Sequence, residues 1–279
     1  MTECPRDAMQ GIHEFISTEK KVRYINALLK CGFGTIDFGS FVSPKVIPQM
    51  RDTAEVLVKL DLSGTRSKLL AIVANVRGAE EAVKYDQVDC LGYPFSVSET
   101  FQQRNTNASM DESLLRVEEM QELCVRHNKT LVVYLSMAFG NPYGDPWSAE
   151  IVMNRAKQLT EMGIMTIALA DTIGISNPEN IHYLFSNLIP ALPQAILGAH
   201  LHTTPNTWKE KMEAAWMAGC RSFDHAVKGY GGCPMAADEL TGNMPTEKVL
   251  EFLAGKGIDT GINKPAFDEA MLLAGQTFS

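Results

Sequence analysis

Two histidines separated by one residue, His200 and His202, end an apolar run of the sequence. Side chains at positions i and i+2 of a strand point to the same face, and neutral imidazole nitrogens are common ligands of divalent metals. Such a pair also occurs without metal, where both rings only make hydrogen bonds. A carboxylate from another strand, for which Asp7 is the best candidate, would complete a site suited to Mg²⁺ or Mn²⁺ rather than to structural zinc.

A glycine-rich segment, Gly229–Pro234, follows the last predicted strand and contains Cys233. A flexible loop of this composition can close over a substrate and deliver a thiol as proton donor or base. The alternative is a turn that happens to contain a cysteine. About ten residues later in the same region, Asn243 offers an amide oxygen that could reach the metal.

Arg6 precedes Asp7 directly, and this pair suggests a second role beside the metal. If Asp7 binds a metal, Arg6 could stabilise the oxyanion that forms when a bond next to a carbonyl breaks. Away from an active site the same arginine would be a surface salt-bridge partner. Asp37 and Asp171 could orient the histidines or Arg6, or could be plain hydrogen-bond acceptors.

Short β-branched runs alternate with longer amphipathic stretches along the whole chain, which predicts parallel strands with helical crossovers. Eight such units result if Met1–Cys4 is the end of a first strand. Either that strand is very short or the numbered chain begins downstream of its natural start. The predicted strands are Thr35–Asp37, Lys68–Asn75, Gln87–Ser96, Thr130–Leu135, Met165–Ala170, Ala195–His202 and Ser222–Val227, and the predicted helices are Ser109–His127, Ala149–Met162, Pro178–Leu188, Trp208–Met217 and Thr246–Ala254.

This alternation predicts a single catalytic domain over residues 1–279, an α/β protein of the (β/α)8 TIM-barrel class with a short C-terminal extension. In such a barrel the residues at the C-terminal ends of the strands face the active site. Gln10 and Asn75 are predicted, with Arg6, to contact the substrate. The polar residues expected at that end are Arg6, Asp7, Asp37, Asn75, Ser98, Glu99, Ser136, Asp171, His200 and His202.

The 279 residues are 45% hydrophobic and carry a formal net charge of −8, which argues against nucleic acid or an anionic membrane as the main partner. The first residues have no apolar segment typical of a signal peptide, and no run of ~18 apolar residues predicts a membrane span. The six cysteines are far apart and are expected to be reduced thiols. We therefore expect a cytoplasmic protein.

Several ordered motifs resemble those of the 3-hydroxy-3-methylglutaryl-CoA lyases, a group of metal-dependent TIM-barrel enzymes related to Claisen-type synthases. The matches span nearly the whole chain and fall at the predicted strand ends. They are Pro5–Gln10, Ser40–Lys45, Ser98–Phe101, Asp171–Gly174, the pair His200 and His202, and Gly231–Pro234.

The resemblance implies that the metal ligands are Asp7, His200, His202 and Asn243. It implies that Arg6 stabilises the enolate and that Cys233 protonates it. Asp37, which takes the place of a glutamate in the family, and Asp171 would assist catalysis or orientation. The implied reaction is cleavage of a 3-hydroxyacyl-CoA to acetyl-CoA and a 3-oxo acid, and a homodimer is suggested by the resemblance alone.

The sequence also departs from the family pattern at several positions, which leaves the reaction type better supported than the substrate. Asp37 is one methylene shorter than the glutamate it replaces, His13 stands where the lyases carry lysine, and the segment from Cys233 to Asn243 is one residue longer. Other departures are Ala8-Met9, Thr203 and Gly140-Asn141-Pro142.

Two alternative functions remain on the sequence alone. One is an aldolase or a Claisen-type condensing enzyme that uses the same metal ligands, against which the loop cysteine argues. The other is a barrel that binds acyl-CoA without turnover. The presence of Arg6, Asp7, His200, His202 and Cys233 together argues against that second alternative.

Overall fold

Eight parallel strands form a closed ring in the computed structural model, which describes residues 1–232 and 241–278. Each strand pairs with the next along the chain, and β8 pairs with β1, so the ring has no open edge. The predicted (β/α)8 TIM barrel is therefore confirmed. The strands are β1 Thr2–Glu3, β2 Thr35–Ser40, β3 Lys68–Ile72, β4 Cys90–Ser96, β5 Thr130–Ser136, β6 Thr166–Asp171, β7 Ile196–Thr203 and β8 Ser222–His225.

Helices connect successive strands and form the outer layer of the barrel. The long helix α6 shows the local reason: the Ser109 hydroxyl accepts from the Glu112 backbone N–H, and the Glu112 carboxylate accepts from the Ser109 N–H, which caps its first turn. The helices are α1 Pro5–Gln10, α2 Thr18–Leu29, α3 Thr53–Val58, α4 Val76–Ala82, α5 Glu99–Thr106, α6 Met110–Arg126, α7 Ala149–Glu161, α8 Pro178–Ala191, α9 Trp208–Met217, α10 Thr246–Gly255 and α11 Lys264–Thr277.

Alternation along the strands divides the apolar side chains between two packed regions. On β3, Leu70 and Ile72 point into the barrel, where they pack with Tyr134, whereas Leu69 and Ala71 face the helices. Successive side chains of a strand point to opposite faces, so one short apolar run supplies both regions.

Some predicted bounds were wrong where polar side chains near strand ends are used locally. Strand β3 ends at Ile72 and does not reach Asn75, because the Asn75 side chain accepts from the Gly78 N–H at 2.9 Å and caps α4. Strand β4 begins at Cys90 rather than at the predicted Gln87. The residue before it, Asp89, accepts a hydrogen bond from the Leu69 N–H with its carboxylate, at 2.8 Å. The eight strands and their order were predicted correctly, as were helices α6 to α10, whereas α1 to α5 and α11 were not named from the sequence.

The C-terminal part extends the barrel in two places. A short strand, β9 (Gly242–Asn243), pairs antiparallel with β7, with Asn243 opposite His202. Helix α11 then packs on α2, where the Asn263 N–H donates to the Cys31 carbonyl at 2.9 Å. The extension thus brings Asn243 next to the histidine strand.

Within residues 1–232 and 241–278, none of the helices combines the length and the apolar character that crossing a membrane requires.

Candidate metal and active site

The two histidines of β7 lie side by side and buried at the C-terminal end of the barrel, with ring centroids 5.4 Å apart. His200 Nδ1 lies 3.2 Å from the Asp224 carboxylate, and His202 Nδ1 lies 3.1 Å from the Thr172 carbonyl. A carbonyl can only accept, so His202 carries its proton on Nδ1 and has its lone pair on Nε2. Each ring is held in the way that orients metal-binding histidines.

Asp7, at the start of α1, completes a group of three candidate ligands. One ligand atom from each of Asp7, His200 and His202 lies within 4.8 Å of the others. Burial raises the pKa of Asp7, but the charges of Arg6 and of the two histidines outweigh it and lower that pKa to about 2. Asp7 is therefore a carboxylate at neutral pH, which is the form that binds metal.

The two histidines differ in electrostatic environment. Burial lowers the pKa of His202, and the neighbouring His200 lowers it further, which favours the neutral imidazole. Burial also opposes the charged form of His200, but the hydrogen bond and charge of Asp224 outweigh it and raise its pKa. Asp224 thus makes His200 the more basic ligand, as a carboxylate partner does in metal sites.

A second set of possible ligand atoms, from Cys4, His200 and Asp224, also lies within 4.8 Å but shares His200 with the first. Burial, followed by the charges of nearby carboxylates, raises the pKa of the Cys4 thiol well above its usual value. A protonated thiol is a poor ligand, and Mg²⁺ and Mn²⁺ prefer oxygen and imidazole. The Asp7 set is therefore the better site for such a cation.

Arg6 is the centre of the charged network beside this site. Its Nε donates to both Asp37 oxygens, at 3.1 Å to Oδ1 and 3.0 Å to Oδ2, and its Nη2 donates to Oδ2 at 2.5 Å. Its Nη1 donates to Asp7 at 3.0 Å and to Gln10 at 2.9 Å. The fork of the guanidinium is therefore fixed from two sides. It remains part of the cavity wall, where it can meet a substrate oxygen.

Asp37 does not line the cavity and acts through Arg6. Burial raises its pKa to about 6, although the charge and hydrogen bonds of Arg6 act in the opposite direction. Most of the side chain's hydrogen-bonding capacity is used by the guanidinium. The structure therefore brings this predicted residue to the site as the group that holds Arg6.

Asn243 approaches the site from β9. Its Nδ2 donates to Asp7 Oδ2 at 2.7 Å and to the Tyr230 carbonyl at 2.9 Å, so its Oδ1 is the amide atom that could bind a cation. Gly231 lies between these segments with φ +87°, and a Cβ there would lie 2.6 Å from Ala8 Cα. Only glycine allows this close passage.

The remaining predicted residues have different positions. Gln10 lines the cavity and donates to Asp7 at 2.7 Å. Asp171 faces away from the cavity and binds Lys211 at 2.8 Å, which also donates to the His202 carbonyl at 2.9 Å. Asn75 caps α4 outside the cavity wall, so its substrate contact stays a prediction. Cys233 lies outside the described residues.

A cavity of about 390 Å³ opens beside these groups, a size typical of small-molecule sites. Its wall contains polar groups from Arg6, Asp7, His200 and His202 and apolar side chains from Val42, Val46, Ile47, Ile72, Pro94 and Phe101. The cavity can therefore contact both a polar reacting group and an apolar chain.

The donor set fits a divalent cation. His202 Nε2 is buried and has no hydrogen-bond partner among the residues that the structure describes. A buried nitrogen lone pair without a partner is costly, and a bound cation would satisfy it. Two imidazole nitrogens, one carboxylate and one amide oxygen are ligands that such a cation accepts.

Comparison with known proteins agrees with this geometry. The HMGL-like family profile matches residues 2–272. Hydroxymethylglutaryl-CoA lyase YngG of Bacillus subtilis is 34% identical over 261 residues, which cover 92% of this chain and 85% of that protein.

The chain belongs to the HMGL-like family.

Members of the HMGL-like family are metal-dependent, and the relatives found are carbon–carbon lyases, so this chain is an enzyme of that class. A Pseudomonas aeruginosa relative named 3-hydroxy-3-isohexenylglutaryl-CoA/hydroxy-methylglutaryl-CoA lyase is 33% identical over 95% of this chain and 88% of its own length. The solved HMG-CoA lyase of Acinetobacter baumannii, in complex with coenzyme A and 3-methylmalate, superposes with a TM-score of 0.90 at 30% identity, covering 99% of this chain and 90% of that one.

Reasoning from the sequence missed two groups of this HMGL-like site. Asp224 holds His200, and the Thr172 carbonyl holds His202. Asp224 could have been found, because it is a charged residue inside the strand predicted at Ser222–Val227. A backbone carbonyl carries no signal in the sequence.

Proposed function

We propose that this chain is a divalent-metal-dependent lyase that cleaves 3-hydroxy-3-methylglutaryl-CoA to acetyl-CoA and acetoacetate. The observation that supports this most directly is the convergence of Asp7, His200 and His202 within 4.8 Å of one another, beside Arg6, in the wall of the cavity. The names of the relatives in the HMGL-like family supply the substrate.

The proposed ligands of the cation, Mg²⁺ or Mn²⁺, are Asp7, His200, His202 and Asn243. When bound, such a cation lowers the free energy of negative charge on the substrate oxygens. The roles of the chain's own residues follow from their contacts. Asp224 and the Thr172 carbonyl orient the two imidazoles, and Gln10 helps to fix Asp7.

In the proposed reaction the bond between C2 and C3 of the acyl group breaks. Its electron pair stays on C2 as the enolate of acetyl-CoA, while the C3 hydroxyl becomes the ketone of acetoacetate. The hydroxyl proton passes to solvent, from which the thiol that protonates C2 regains its own proton. The Arg6 guanidinium, fixed by Asp37, donates to the oxygen that gains negative charge. Cys233 then supplies the proton to C2, a role that rests on the resemblance to the lyases.

A second candidate substrate carries a larger apolar group at C3. The apolar side chains of the cavity wall, among them Val42, Ile47 and Phe101, would contact such a group, and one relative is named for the isohexenyl compound. If this is the true substrate, kcat/KM for it exceeds that for the methyl compound. Comparing the two under identical conditions decides between them.

The test begins with metal-stripped protein. We expect cleavage of 3-hydroxy-3-methylglutaryl-CoA, followed as acetoacetate, only after Mg²⁺ or Mn²⁺ is added. Cys233→Ala should abolish cleavage but keep metal, whereas His200→Ala should lose both. Full turnover by Cys233→Ala would show that Cys233 is not the proton donor. Metal binding without product formation would support the proposed metal site and contradict the proposed substrate.

We further propose a cytoplasmic homodimer that folds as one catalytic domain. These statements rest on the sequence and on the resemblance to the lyases. Light scattering of the purified protein gives its mass in solution, and a monomer mass at micromolar concentration would contradict the dimer.

A further inference from the structure

A buried polar cluster made of Glu3, His225 and Thr246 lies on the outer face of β1 and β8. Glu3 Oε2 accepts from the Thr246 hydroxyl at 2.6 Å and lies 3.0 Å from His225 Nδ1. Glu3 Oε1 accepts from the Val227 N–H at 2.9 Å. We call these three side chains the Glu3 cluster.

The Glu3 cluster contains the residue types of a hydrolytic triad, but no substrate can reach it. All three side chains are fully buried, and none of them lines the cavity. On one side the His225 ring packs against the Phe33 ring at 5.5 Å. The proton-transfer chemistry that such groups can perform is therefore excluded, and a different reason for burying a carboxylate is needed.

The contacts of Glu3 join two segments that are both far from Glu3 in sequence. Val227 begins the turn that leads to Tyr230, and Thr246 follows Asn243 by three residues. Backbone bonds from Ala226 N–H to the Met244 carbonyl and from Thr246 N–H to the Ala226 carbonyl, both 3.0 Å, hold the same two segments together. One carboxylate on β1 therefore fixes both segments to the barrel.

Both segments carry the contacts that place Asn243. The Tyr230 carbonyl accepts from Asn243 Nδ2 at 2.9 Å, and the same nitrogen donates to Asp7 at 2.7 Å. Tolerance for displacement is small, because a Cβ at Gly242 would lie 2.3 Å from the Gly229 carbonyl oxygen. Moving either segment would move the amide oxygen of Asn243 relative to Asp7.

We propose that Glu3 is a positioning residue: through Val227 and Thr246 it sets the place of Asn243 beside Asp7, and thereby the affinity of the metal site. This inference rests on the proposed function, since it takes these residues as metal ligands. It concerns a residue that touches neither metal nor substrate.

The first part of the test uses metal-free protein. We expect faster hydrogen exchange in segments 226–232 and 241–246 of Glu3→Val and Thr246→Val than in the wild type. Thr246→Ser keeps the hydroxyl and should restore the wild-type rates. Unchanged exchange in both valine variants would overturn the inference without any reference to metal.

The second part measures Mn²⁺ affinity by electron paramagnetic resonance. We expect Glu3→Val to raise the Mn²⁺ Kd roughly tenfold, the low end of the effects seen when groups that orient ligands are lost. At saturating Mn²⁺ the KM for substrate should change less than about twofold, because no substrate contact is removed. Thr246→Val should show a smaller rise in Kd and provides the test if Glu3→Val does not fold.

Lys129→Met is the matched control for lost stability. Lys129 donates to the Tyr85 and Val88 carbonyls at the N-terminal ends of the strands, opposite the site. It should lower the melting temperature but leave the Mn²⁺ Kd unchanged. An equal rise in Kd for this variant, or no rise for Glu3→Val, would contradict the inference. Absence of Mn²⁺ binding in the wild type would instead overturn the proposed metal site, and this inference with it.

Discussion

Strand β8 carries buried polar groups on both of its faces, Asp224 on one and His225 on the other, and the two faces differ in access to the cavity. Inside the barrel, Asp224 holds His200, which lines the cavity. On the outside, the next residue of the same strand, His225, binds Glu3. Both faces bury a histidine next to a carboxylate, and only the inner one meets a space that a ligand can enter.

This difference shows that burial and charge do not by themselves mark a functional site. The Glu3 cluster uses its carboxylate on donors of the chain, from Val227 and Thr246. Among the described residues the Nε2 atoms of His202 and His225 both lack a hydrogen-bond partner, but of these two histidines it is His202 that lines the cavity. An unsatisfied group aimed at a cavity is the stronger indication of ligand binding.

The largest effect is expected at His200, the histidine of the inner face. His200→Ala removes a proposed metal ligand from the inner face. Loss of a group that only orients a ligand costs about 10–100-fold in metal affinity, so we expect a larger loss of affinity here and no detectable cleavage. The measurement is Mn²⁺ binding together with acetoacetate formation. His182→Ala, an exposed histidine of α8, is the control and should behave as wild type. Wild-type Mn²⁺ affinity in His200→Ala would show that the metal does not bind at the inner face.

A second, smaller effect is expected at Arg6. Arg6→Lys keeps the charge but loses the fork that binds Asp37 and Asp7 together. We expect kcat to fall about 10²–10³-fold, the usual cost of losing a donor to a developing oxyanion, with little change in Mn²⁺ affinity. Single-turnover cleavage at saturating metal measures this. Wild-type kcat in the lysine variant would show that charge alone suffices.

Asp37 tests whether the inner face holds its carboxylates at a cost in stability. Its pKa in the folded protein is about 6, above the ordinary value of 3.8, because burial outweighs the attraction of Arg6. The folded state therefore binds more protons than the unfolded state between these values. This contribution to stability is fully present below pH ~4 and is lost as the pH rises through ~6.

Asparagine at this position cannot titrate, so Asp37→Asn should gain stability relative to the wild type by roughly 3 kcal/mol between pH 4 and pH 7. Urea unfolding of both proteins across that range measures the difference in the free energy of unfolding. Activity should fall, since Arg6 loses a charged partner. Parallel stability profiles for the two proteins would contradict the raised pKa.

A feature of the fold or the site could be predicted from the sequence where it depends on residues that are close together in the chain. The two histidines were found because period-two spacing on a strand is a local property. Asp224 was missed because its contact with His200 depends on the register of β7 and β8, where Ala199 lies opposite Phe223. The register between strands is set by the whole barrel and not by either segment.

The position of Asp171 at a strand end was predicted correctly, whereas Asn75 was predicted inside a strand that ends at Ile72, and the partners of both side chains were missed. Asp171 ends β6 as expected, and its carboxylate is taken by Lys211 from α9, forty residues along the chain. Asn75 lies just beyond β3, and its short side chain caps the following helix. Position at the mouth of the barrel is predictable from alternation, whereas the direction of a side chain is decided by donors from other elements.

The smallest predicted effect concerns His13, which lies outside both faces of the comparison. His13 is exposed on the loop after α1 and stands where the resembling lyases carry lysine. His13→Lys adds one positive charge two residues from Gly11, which lines the cavity, and we expect KM for the acyl-CoA to fall about twofold to fivefold, as for an exposed ion pair. Because salt screens such pairs, the difference should disappear at high ionic strength. The control is His127→Lys, at an exposed histidine at the end of α6, which should leave KM unchanged. A fall in KM for both variants would assign the effect to overall charge and would leave His13 without a specific contact to the coenzyme.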